Sequence, residues 1–223
     1  GRCGQSRPSV CSSCGAGRFA NLRPGVTRLR EELEAAANRP AVLVTGDGPD
    51  ELPVAGVYVG TEAALHRVRR ADTVAFLDFD REILAPRYRA AEQAMALLVR
   101  AARLVGPRSR GGRILVQTFV PDHDVVQAAL LADPGRMVPG ERDRRRMLGL
   151  PPYGAYAEVS GAGSDDFVAS IERIDGIDDG VVIVGSGGDY VARAPDWERL
   201  AAVLGTGERP PGARLRLAVD PPR

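Results

Sequence analysis

The residues of greatest chemical reach in this chain are three cysteines, a pair of closely spaced aspartates and a full set of basic side chains that are all arginine. Cys3, Cys11 and Cys14 lie in GRCGQSRPSVCSSCGAGRF, a stretch with no apolar period. Cys11 and Cys14 are separated by two residues and followed by Gly15, a spacing at which a tight turn lets two thiolates reach one tetrahedral ion. Cys3-Gly4 has the form of the second half of another such knuckle, whose partner would fall before Gly1. The expectation is a structural Zn2+ held by Cys3, Cys11, Cys14 and a fourth cysteine upstream. A redox pair or three small loop residues are the alternatives.

Asp78 and Asp80, in AFLDFDRE, fall on one face if the strand before them continues that far. Paired carboxylates hold Mg2+ or share a proton, although acids at strand ends also cap the turn that follows. Asp47, Asp50 and Glu51 cluster in a turn-rich loop, where aspartate is favoured for its bonds to the nearby backbone as well as for metals. Gly60-Thr61 follows an apolar run and leads into a helical pattern, so its backbone N–H groups and hydroxyl suit either a phosphate or a simple cap. His66 and His123 share no evident partner, and no constellation of nucleophile, base and orienter can be assembled. All thirty basic residues are arginine. Without lysine, neither a Walker-type phosphate loop nor a Schiff base can be completed from these residues.

The elements that must position these groups follow from periodicity. Val57–Val59, Thr73–Leu77 and Ile114–Val116 are β-branched runs separated by helical spacing, which predicts parallel strands joined by crossovers. In open sheets of that kind, ligands meet the strand carboxyl ends, here Gly60-Thr61, Asp78 with Asp80, and Gln117-Thr118. Before them, a helix from Gly25 carries Val26, Leu29, Leu33 and Ala36-Ala37 on one face and stops at Pro40, and AVLV reads as a strand. Residues 87–104 read as a helix with Ala91, Met95, Leu98 and Ala102 inward. From Pro151 the order becomes strand (155–160), helix (165–174), strand (181–185), strand (190–194), helix (196–204) and strand (214–219), the βαββαβ split pattern. Pro151-Pro152 marks the expected linker.

Arginines cluster at Arg67, Arg69 and Arg70, at Arg100, Arg103, Arg108, Arg110 and Arg113, and at Arg142, Arg144, Arg145 and Arg146, a distribution suited to phosphate backbones. No apolar run is long enough to cross a bilayer and no leader is evident, so a soluble, cytoplasmic protein is expected.

In order and spacing, the chain resembles the C-terminal part of the PriA family of bacterial replication-restart proteins. The landmarks are CxxCG at Cys11–Gly15, the helix from Gly25, TGD at Thr45–Asp47, VGTE at Val59–Glu62 and LDFDREILAPRYRAAEQ at Leu77–Gln93. They continue through ILVQTFVPDHDVVQAAL at Ile114–Leu130, LGLPPYG at Leu148–Gly154 and VDP at Val219–Pro221. The resemblance implies an α/β fold in three parts: a partial zinc knuckle (1–24), a RecA-like second helicase lobe with a mainly parallel sheet (25–150), and a small α+β DNA-binding domain (151–223).

It also implies a monomer that binds forked or branched DNA and single-strand/duplex junctions, and works with primosome or replisome proteins. Gly60, Thr61, Arg100, Arg103, Arg108 and Arg110 are the expected DNA contacts. The family's closing motif, QxxGRxGR, falls on Arg100 to Pro107, where Leu104 and Pro107 replace both arginines. Lobes of this type use those arginines with ATP and Mg2+, so the resemblance implies a lysine-poor, actinobacterial type with an inactive motor. An active ATP-dependent helicase with its other motifs upstream is the alternative.

Overall fold

A computed structural model describes residues 25–49, 51–171 and 180–221. Cys3, Cys11 and Cys14, and Asp50 of the loop cluster, lie outside the described residues. By backbone packing the chain forms two compact units, one running to Glu82 and including Ala94–Val120, the other formed by Ile83–Gln93 and Pro121 onward. These units are divided differently from the limits read in the sequence at 150/151.

In the first unit α1 (Val26–Ala37) stops where Asn38 turns left-handed at φ 49°, the usual way a helix is closed when no glycine is there. β1 (Ala41–Val44) and β2 (Val57–Gly60) pair in parallel, with Ala41 opposite Val57 and Val44 opposite Gly60. After α2 (Ala63–Arg67), β3 (Thr73–Phe76) pairs in parallel with β4 (Arg113–Val116). Between those two strands lie α3 (Asp80–Ile83), α4 (Ala90–Val105) and a 3-10 turn, Arg108–Arg110. The parallel pairing is as expected, but it occurs in two separate two-stranded sheets and not in one. Burial alternates along β3 and β4, whereas a sheet covered on both faces would bury every residue.

α4 buries Ala91, Met95 and Leu98 as its spacing predicts, together with Ala94, Leu97 and Ala101. Ala102 is exposed: after Leu98 the inward face of a 3.6-residue turn returns at position 101.

The second unit continues with α5 (Asp124–Leu130), a 3-10 turn (Pro134–Met137) and α6 (Val138–Leu148). The βαββαβ series then follows in the expected order: β5 (Ala155–Ser160), α7 (Ser164–Ser170), β6 (Val182–Ser186), β7 (Asp189–Ala194), α8 (Trp197–Gly205) and β8 (Arg216–Val219). The strands form one antiparallel sheet in the order β6-β7-β5-β8. Ala155, Ala157, Val159 and Ala192 present small side chains on one face, which lets Phe167, Leu200 and Val203 pack closely on them.

Residues 83–93 are fastened into this unit by polar and aromatic contacts. The Tyr88 ring lies 4.7 Å from that of Tyr156, centroid to centroid, and its hydroxyl donates to Asp220 Oδ1. Arg89 Nη2 stands 2.6 Å from the same carboxylate oxygen. Arg145 is nearly buried; its Nε donates to Glu141 Oε1 (2.9 Å) and its Nη1 to the Pro151 carbonyl (3.3 Å). Its Nη2 approaches Glu92 Oε1 to 2.7 Å as an ion pair lacking hydrogen-bond alignment. The stretch expected to be a linker is thus packed in place, with Leu150 buried and Pro151 bonded.

Glu141 and Arg145 are both less than a tenth exposed, so removing one strands the other. Arg145→Ala is expected to destabilise this unit by about 3 kcal/mol, with Arg145→Met milder because it refills the volume. Denaturant unfolding followed by the fluorescence of Trp197, the sole tryptophan, is the check; an unchanged midpoint contradicts it. Burial, with Glu158 beside it, pushes the Tyr156 phenol up to about 12. Tyr156 therefore favours the fold fully below pH ~10, and that contribution disappears as pH rises to about 12. Alkaline absorbance titration reads this directly.

Candidate nucleic-acid interface

At the strand carboxyl ends the two aspartates do not share a face. β3 stops at Phe76, Asp78 adopts a left-handed turn at φ 58°, and Asp80 opens α3. Asp80 accepts from the Thr118 hydroxyl through Oδ1 and from Phe119 N through Oδ2 (3.0 Å). Gln117 joins the same turn: its side-chain oxygen accepts from Asp78 N (3.2 Å) and its carbonyl from Phe79 N (3.0 Å). Asp80 therefore ties the end of β3 to the end of β4. Of the two readings of this pair, metal or proton sharing and capping of the turn, the bonds of Asp80 match the second, because the chain leaves strand geometry before the first aspartate.

In the other acidic loop, the Thr45 hydroxyl holds Asp47 below its usual carboxyl value, the behaviour of a turn aspartate. Among the described residues no group of three or more His, Cys, Asp or Glu is placed to hold a metal.

Gly60 is required by a close approach: a Cβ there would lie 2.1 Å from the Val44 carbonyl oxygen. Thr61 is exposed, and its carbonyl accepts from Ala64 N, while that of Glu62 accepts from Leu65 N, both at 2.9 Å. Those N–H groups are engaged within the turn, and the helix they open has five residues. Beyond it, His66 Nδ1 stands 2.7 Å from Arg100 Nη1 and Nε2 stands 3.3 Å from Glu62 Oε1. Arginine can only donate, so Nδ1 is the acceptor and the ring proton sits on Nε2.

Residues 94–120 contain five arginines and no carboxylate. Arg100 and Arg103 lie on α4, and Arg103, Arg108 and Arg110 are all exposed. Arg110 folds toward the end of α4, where Nη2 would stand 3.2 Å from a Cβ placed on Gly106, itself at φ 70°. A guanidinium there suits the negative pole of the helix. Leu104 is half-buried, Pro107 is exposed ahead of the 3-10 turn, and neither side chain can donate a hydrogen bond. Arg67, from the same arginine run as Arg69 and Arg70, is structural: its Nη1 donates to the Thr45 carbonyl at 2.7 Å. Phe119, unremarked in the sequence, is 86% exposed on a backbone held by Asp80.

Asp80→Ala removes acceptors from two donors and is expected to destabilise the first unit by about 1.5–3 kcal/mol. Thermal unfolding followed by circular dichroism checks this; an unaltered curve would contradict the tie between β3 and β4.

No protein-family model matches the chain. It is 32% identical over 222 residues to the probable replication restart protein PriA of Mycobacterium tuberculosis, covering 95% of this chain and 30% of that protein. It is 28% identical over 178 residues to the replication restart protein PriA of Thermotoga maritima, which covers 71% of this chain and 24% of that one. The Bacillus subtilis PriA is 23% identical over 180 residues, 71% of this chain and 22% of that protein. The chain thus spans less than a third of the length of these relatives. Similarity to proteins named replication restart protein PriA thus runs along nearly the whole length of this chain.

Proposed function

We propose that this chain is part of a replication-restart protein that binds forked or branched DNA and helps reload the replisome without driving a helicase motor of its own. The observation that carries the reading is the likeness to proteins named replication restart protein PriA along 95% of the chain. Residues 25–150 are read as the second RecA-like lobe, for which the parallel pairings β1–β2 and β3–β4 speak. Residues 151–223 are read as a DNA-binding domain built on the βαββαβ sheet, and residues 1–24 as a zinc knuckle ligated by Cys3, Cys11 and Cys14. Arg100, Arg103, Arg108 and Arg110 supply guanidinium groups to phosphate, supported by the absence of any carboxylate from residues 94–120. A monomeric, cytoplasmic protein working with primosome partners suits this reading. Among the described residues, no helix is long and apolar enough to cross a membrane.

The inactive motor follows from Leu104 and Pro107. Hydrolysis requires a cationic donor at the γ-phosphate, and loss of such an arginine lowers turnover by roughly 10³–10⁵. The intact protein of which this chain is part is expected to bind a labelled DNA fork with affinity that falls steeply with salt, while its ATP turnover stays at background with or without the fork. Robust fork-stimulated ATP turnover contradicts the inactive motor. Binding insensitive to salt contradicts the phosphate contacts.

A further inference from the structure

Two backbone hydrogen bonds draw together arginines that lie far apart in the sequence. Ala71 N donates to the Leu104 carbonyl in the last turn of α4 (3.3 Å), and Arg113 N donates to the Asp72 carbonyl (3.1 Å). β3 and β4 run parallel with Thr73 opposite Arg113, so both strands start at this edge. Arg69 and Arg70 lead into β3, Arg103 precedes Leu104, and Arg108 and Arg110 occupy the 3-10 turn that leads into Arg113. All six are exposed.

Among the described residues none of the six forms an ion pair, and the one carboxylate in these segments is Asp72. Several arginines elsewhere do pair: Arg145 with Glu141, Arg89 with Asp220, and Arg28 with Glu32. Six guanidinium groups gathered with one carboxylate among them repel and oppose compaction, and a polyanion laid across them relieves that repulsion. At the other end of the same two strands stand Asp78 and Asp80, with a single arginine, Arg81, next in the chain.

We infer that nucleic acid lies across the amino-terminal edge of β3 and β4, its phosphates met by Arg69, Arg70, Arg103, Arg108, Arg110 and Arg113. It does not lie over the strand carboxyl ends, where α/β sheets ordinarily take their ligands. The guanidinium fork offers paired N–H donors to phosphate oxygens, so this edge recognises the backbone and not the base sequence. The inference rests on the DNA-binding reading and adds to it a location and three contacts, Arg69, Arg70 and Arg113.

The test is the salt dependence of binding to a fluorescein-labelled duplex, read by anisotropy on the full chain. Replacing Arg69, Arg70 and Arg113 together with glutamine is expected to lower the log–log salt slope by about 2.7, at roughly 0.9 per phosphate contact. The same three positions as lysine keep most of the slope, since a point charge still neutralises phosphate. Arg81→Gln, a guanidinium lost from the opposite end, leaves it unchanged. Arg69→Glu with Arg70→Glu repeats the test in a loop, outside any strand, should the triple variant fold poorly. A glutamine triple that retains the wild-type slope overturns the edge while leaving DNA binding intact. Wild-type protein that binds no duplex overturns both.

Discussion

Guanidinium groups stay charged at any physiological pH, so a chain whose basic residues are all arginine cannot relieve crowding by losing protons. It must pair them, solvate them or bring an anion to them. In the first unit the bonds from Ala71 N to Leu104 O and from Arg113 N to Asp72 O set three arginine-bearing segments against one another. The amino-terminal edge of β3 and β4 consequently gathers six arginines, while the carboxyl edge carries Asp78, Asp80 and Arg81. The proposed docking of nucleic acid depends on that backbone bonding.

The second unit uses the same side chain in the opposite way. Arg145 is buried against Glu141 and sits over the Tyr88 ring at 5.4 Å, with its Nη1 bonded to the Pro151 carbonyl. Here the guanidinium organises protein: it joins α6, the 83–93 segment and the entry to β5. Desolvating such a pair is costly unless the remaining donors are satisfied; the Pro151 carbonyl satisfies Nη1, and Glu92 offsets the charge at Nη2 without a hydrogen bond. Arg145 is thus a structural bolt, whereas the six arginines at the β3–β4 edge of the first unit face solvent.

Much of this was legible where local rules suffice. Alternation and turn glycines located all four strands of the βαββαβ unit, because each is bounded by Gly or Pro and faces one core. Helix α1 ended before Pro40 for the same kind of local reason. What escaped was decided by distant partners. Asp78 and Asp80 read as a strand-end pair because nothing nearby reveals that Asp80 bonds Thr118 and Phe119, nearly forty residues on. The placement of residues 83–93 with the second unit rests on Tyr88 and Asp220, separated by 132 positions. The basic edge was half visible: clusters around Arg69 and Arg108 stand out in the sequence, but only the pairing of Thr73 with Arg113 puts them at the same end.

The central claim is that phosphate meets the amino-terminal edge of β3 and β4. It is tested most directly by arginine-selective modification with phenylglyoxal, mapped by peptide mass spectrometry with and without duplex DNA. Protection by DNA should concentrate on Arg69, Arg70, Arg103, Arg108, Arg110 and Arg113, with Arg81 modified equally in both states. Protection confined to Arg142, Arg144 and Arg146, or of Arg81 in preference to the edge, would contradict the account.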